Sequence, residues 1–140
     1  MTNRPAEEPD LSISLHLDAY APRAARHHVG QVDRPSPDLR DAVMLLTSEM
    51  VTRAVQHSDS LAGDVVQLRV WMPGDVVRVE LHGACDLLAP EADPHHGNEY
   101  DLMLLDNVAD RRSTETHDDD ACMWFEIDRH ETRERVGAGV

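Results

Sequence analysis

Residues 36–57, SPDLRDAVMLLTSEMVTRAVQH, carry apolar side chains at helical spacing over the longest run in the chain. Leu39, Val43, Leu46, Met50, Ala54 and His57 form one stripe, and Ala42, Leu45, Val51 and Val55 widen it. Ser36 suits the N-cap, Pro37 the first helical position, and acids fill the first turn, so the helix start is well marked. A helix apolar over more than half its circumference needs another layer to cover it.

The strand patterns supply that layer. LSISLHL (11–17) alternates apolar and polar residues with period two, as a half-buried strand does. DVVQLRVWM and VVRVELHG flank Pro73-Gly74-Asp75 and form a hairpin. RRSTETHDDDACMWFEIDRH forms a second hairpin, with THDDD at its turn and Met123, Phe125 and Ile127 on one face. A weaker helix is expected over 21–32, with Asp18 as cap and Ala24, Ala25, His28 and Val29 as apolar face, ending before Pro35. Residues 84–100 have no period and are expected as a loop or lid, and 101–110 as a short apolar helix. The order β-α-α-β-β-lid-α-β-β predicts the α+β class. The expected form is a two-layer sandwich whose mostly antiparallel sheet, of about five strands, is covered on one face by about three helices. One domain spans 11–130, with a disordered segment at 1–10 and a flexible tail at 131–140.

Charge narrows the function classes. At 140 residues and a net charge of −14, the chain repels nucleic acid and anionic membrane and favours a basic protein partner. It has no apolar run of membrane-span length and no signal-peptide pattern, so the expected location is cytoplasmic. Cys85 and Cys122 form no CxxC and are expected as reduced, buried thiols. Nine histidines invite a metal centre, with His27-His28, His82, His95-His96, Cys85 and Cys122 as candidates, but no HxxxH or CxxC spacing appears. No metal site is therefore assigned. Asp118-Asp119-Asp120 reads as a solvated turn, lacking the glycine and terminal glutamate of a calcium loop.

LLTSEMVTRAVQHS, the hairpin after it, the lid, LMLLDNVADR and CMWFEI together resemble the bacterial anti-sigma-factor serine kinases of the GHKL ATPase superfamily, over about residues 11–128. The resemblance implies that Glu49 stands where the family has its general base, and that His57 matches the histidine two turns on. It also implies a partner switch, in which a sigma factor is sequestered and an antagonist protein is phosphorylated by Mg-ATP.

Three motifs depart from the family. Arg53 stands at the magnesium-binding asparagine, and a guanidinium has donors only, so it cannot ligate Mg²⁺. Gly83 falls where an aspartate reads the adenine amino group, and it has no side chain to do so. Glu99-Tyr100-Asp101 replaces the Gly-x-Gly that approaches the phosphates. There the carboxylates of Glu99 and Asp101 would each repel a phosphate charge by about 1 kcal/mol at ~4 Å in water. The degenerate nucleotide site thus comprises Arg53, His57, Gly83, Glu99 and Asp101, with Glu49 a vestigial base. Glu49 and Arg53 are expected as an i,i+4 ion pair. The expected function is regulation by protein binding, with a sigma factor or its antagonist as partner, no cofactor, and a homodimer by analogy. The alternatives are a divergent active serine/threonine kinase using Mg-ATP, or a small-molecule or metal sensor reusing the vacated pocket.

Overall fold

A computed structural model describes residues 8–32, 37–58, 63–72, 75–88 and 107–128. The elements are β1 (Leu11–His16), α1 (Ala21–Gly30), α2 (Pro37–His57), β2 (Val65–Trp71), β3 (Val76–Ala84), α3 (Cys85–Leu88), β4 (Arg111–His117) and β5 (Asp120–Asp128). The strands form one five-stranded sheet in the order β1-β2-β3-β5-β4. Every neighbouring pair is antiparallel. This is the α+β sandwich expected from the sequence.

Strand alternation decides which side of the sheet each residue faces. Register aligns Leu15 with Val66, Leu68 with Leu81, Val70 with Val79, and Val79 with Phe125. These side chains share a core with Leu39, Val43, Leu46, Met50 and Ala54 of α2 and with Ala21, Ala25 and Val29 of α1. Burying one such aliphatic side chain contributes roughly 1.5–3 kcal/mol. Phe125, wholly buried at the middle of β5, is the largest apolar side chain of that core.

The helices follow the predicted stripes with informative exceptions. In α1 the buried set is Ala21, Ala25 and Val29, an i, i+4, i+8 row, and His28 is exposed. The reason is close approach. A Cβ added at Gly30 would lie 3.3 Å from the Met44 sulfur, so α1 meets α2 along its small-residue row and turns both His27 and His28 outward. Asp18 does not cap the helix. Its Oδ1 accepts from the Tyr20 N–H at 2.8 Å, an Asx turn that aims the chain into α1. In α2, Leu45 is exposed while Thr47 is fully buried, so the buried arc is rotated toward Thr47 and Val51.

Cys85–Leu88, expected as loop, is a helical turn whose Leu87 and Leu88 are buried. The remainder of the expected lid, 89–100, and residues 101–106 of the expected helix lie outside the described residues, although Asn107 and Val108 are helical. The segments 1–7 and 129–140 lie outside them as well. The second hairpin turns at Asp118-Asp119, with His117 paired to Asp120 and Asp118 in the left-handed region at φ 56°. Asp is among the few non-glycine residues that tolerate that conformation. Among the described residues, no helix is long and apolar enough to cross a membrane.

Candidate functional site

Two places on the sandwich concentrate polar chemistry, one on each side of the sheet. The first lies along α2. Glu49, Arg53 and His57 occupy one flank of its buried stripe, and all three are half-buried. Helical periodicity brings them together as expected.

Gly83, near the end of β3, pairs with Ala121 and faces the core side of the sheet. A Cβ there would meet Val66 Cγ1 at 2.9 Å and Leu88 Cδ1 at 3.5 Å. The space on that side of Gly83 is filled by aliphatic side chains from β2 and α3. Glu99 and Asp101 lie outside the described residues. Asp119 and Asp120 close the β4–β5 turn over the start of α3, where the Cys85 N–H donates to the Asp119 carbonyl at 2.8 Å.

This contact places a thiol among acids. Cys85 is half-buried, and its Sγ–H donates to the Asp120 carbonyl at 3.1 Å. Desolvation, and then the charges of Asp119, Asp120 and Asp86, push its pKa up. The thiolate is the reactive form, so a raised pKa means less thiolate at any given pH. Alkylation of Cys85 by iodoacetamide at neutral pH is therefore expected to be several-fold slower in the folded chain than in urea. Asp119→Asn with Asp120→Asn should recover part of that rate. Mass spectrometry of the Cys85 peptide against time reads both, and equal folded and unfolded rates would contradict the electrostatic account.

The second place is the sheet face opposite the core. Arg78, Glu80 and His82 of β3 project there, beside Trp71 of β2 and Cys122, Trp124, Glu126 and Asp128 of β5. Arg78 and Glu80 are as buried as the core, at 1% and 0% exposed. Their charges are compensated by a continuous chain of bonds. Arg111 Nε donates to Glu126 Oε1 at 2.7 Å, and Arg78 Nη1 donates to Glu126 Oε2 at 2.8 Å. Arg78 Nε donates to Glu80 Oε2 at 2.7 Å, and His82 Nε2 lies 2.7 Å from Glu80 Oε1. As an ionised carboxylate, Glu80 would accept from the Nε2–H form of His82. Cys122 Sγ lies 3.6 Å from that same nitrogen.

Aromatic rings complete the network. The Arg78 guanidinium sits 4.2 Å from the Trp124 ring centroid, within cation–π range, and Trp124 Nε1–H donates to Glu115 Oε2 at 2.9 Å. Arg111 also binds both oxygens of Asp128, a bidentate pair that, with Glu126, raises its pKa and fixes the outer edge of the network.

Of these residues, sequence spacing singled out only His82 and Cys122, as scattered metal candidates without a ligand pattern. Glu80 went unnoticed because alternate polar residues in a strand ordinarily face water. The missing signal is register. Pairing of His82 with Cys122 across β3 and β5 creates a proximity that no local spacing encodes. The chain matches no protein-family model and no curated protein.

Proposed function

We propose that the chain is a regulator that acts by protein binding, related to the anti-sigma-factor serine kinases but lacking a working nucleotide site. The packing at Gly83 carries this proposal. Val66 Cγ1 and Leu88 Cδ1 stand 2.9 and 3.5 Å from a Cβ at residue 83, so they would crowd the aspartate that the resemblance implies there. Arg53, half-buried on α2, adds a cation where magnesium would need an oxygen ligand. The α+β sandwich, with its long helix packed on an antiparallel sheet, is compatible with such an origin, though many functions share that class.

The partner would be a basic protein surface, such as that of a sigma factor or its antagonist, drawn in by the net charge of −14. We place this exchange in the cytoplasm, where such partners act. Calorimetric titration with ATP and ADP, with and without Mg²⁺, tests the proposal. Neither heat nor thermal stabilisation is expected at millimolar nucleotide. Micromolar, Mg²⁺-dependent binding that is lost in Glu49→Ala would instead establish a divergent kinase with a nucleotide site elsewhere on α2.

A further inference from the structure

The opposite face of the sheet holds three different ligand types within reach of one point. Donor atoms of Glu80, His82 and Cys122 all lie within 4.8 Å of one another. Two of the residues are buried and the third is half-buried, and they come from the adjacent interior strands β3 and β5, which fix their positions. We propose that Glu80, His82 and Cys122 form a binding site for a thiophilic divalent transition metal of the zinc class. This site is separate from the α2 flank and does not depend on the function proposed above.

The first argument is convergence on a single nitrogen. Glu80 Oε1 and Cys122 Sγ both approach His82 Nε2, at 2.7 and 3.6 Å. A cysteine–histidine–carboxylate catalytic relay requires the acid on one ring nitrogen and the thiol on the other. Here the two compete for the same atom. That arrangement suits donors gathered around a common ion and does not suit a proton relay.

The second argument is scale. Zinc–nitrogen, zinc–oxygen and zinc–sulfur bonds of about 2.0–2.3 Å at tetrahedral angles put neighbouring ligand atoms roughly 3.3–3.6 Å apart. The Cys122–His82 separation of 3.6 Å already matches. The Glu80–His82 hydrogen bond of 2.7 Å has to open by well under 1 Å once its proton leaves. Such a movement lies within side-chain rotation and needs no change in the strands.

The third argument is support around the donors. Arg78 Nε holds Glu80 Oε2 and leaves Oε1 facing His82. Outer bonds of this kind fix the orientation of a metal-binding carboxylate. An open depression beside the cluster is lined by His82, Glu115, His117, Asp120 and Cys122, and gives an ion a path in. A water entering from that depression would supply the fourth ligand, as in zinc sites with three protein ligands. A thiolate beside an imidazole selects against Mg²⁺ and Ca²⁺, which take oxygen ligands.

Cobalt titration of the full-length chain, reduced and stripped with chelator, tests the site. One equivalent of Co²⁺ is expected to give a thiolate-to-cobalt charge-transfer band and intense tetrahedral visible bands, all displaced by Zn²⁺. Cys122→Ser should abolish the charge-transfer band, and His82→Gln should weaken binding at least ~10-fold, on the scale seen even for residues that only support a metal ligand. Cys85→Ser should leave both intact. Zinc should also protect Cys122 and not Cys85 from alkylation in the unmodified protein, a readout that needs no variant to fold. Absence of the band, its survival in Cys122→Ser, or its loss in Cys85→Ser would overturn the proposal.

Discussion

Arg78→Ala is expected to destabilise the chain by about 3–5 kcal/mol, the range for breaking one side of a buried ion pair. The expected stability of a domain of this kind is about 5–15 kcal/mol, so this single change takes a large share of it. Glu80 is the cause. Its side chain is fully buried and one of its oxygens is held by Arg78 at 2.7 Å. Without the guanidinium, Glu80 remains as a buried carboxylate with His82 on its other oxygen. Glu126 suffers less, because it is partly exposed and keeps Arg111. Packing adds to the loss, since the guanidinium also covers the Trp124 ring.

The comparison that isolates charge from packing is Arg78→Met with Glu80→Leu. Replacing both members of a buried pair by apolar residues of similar volume is often neutral or stabilising. The double variant is therefore expected to recover most of what Arg78→Ala loses. Urea denaturation at constant m reads both free energies. A loss below about 1 kcal/mol for Arg78→Ala would place the pair in the range of solvated ion pairs and refute its description as buried.

The same network shows where sequence alone reaches its limit. VVRVELHG predicts a strand with Val77, Val79 and Leu81 inward, and all three are fully buried. Alternation then assigns Arg78 and Glu80 to solvent, yet they are as buried as the valines. What buries them is supplied by other strands, with Trp71 opposite Arg78 and Trp124 opposite Glu80. Such pairs follow from register, a long-range property that residue-by-residue alternation does not contain. The helices repeat the lesson on a smaller scale. Periodicity places Leu46 and Met50 in the core, whereas the exposure of Leu45 and His28 depends on how α1 and α2 meet. Glu49, Arg53 and His57 sharing one flank was legible, because the i,i+4 relation is local. The closing of space around Gly83 was not, because Leu88 belongs to a helical turn that lacks any period in the sequence.

That closed space makes the second large effect. Gly83→Asp, which would put a carboxylate on the core side of β3, is expected to cost roughly 2–6 kcal/mol. Overpacking a well-filled site costs about 1–3 kcal/mol, and a poorly paired polar group adds about 1–3 kcal/mol by mutational measures. The steric part is specific. A Cβ would stand 2.9 Å from Val66 Cγ1, and Val66 is 1% exposed, so its methyl cannot swing into open space. A β-branched residue in a strand is also stiff about χ1, which removes the easy escape. Gly83→Ala should therefore show the packing cost alone. Val66→Ala should relieve that cost, making Gly83→Ala less harmful in its presence than in the unmodified chain. The sign of this coupling, read from a double-mutant cycle in urea, is the critical result. Additive losses would mean that Val66 and residue 83 do not compete for one volume.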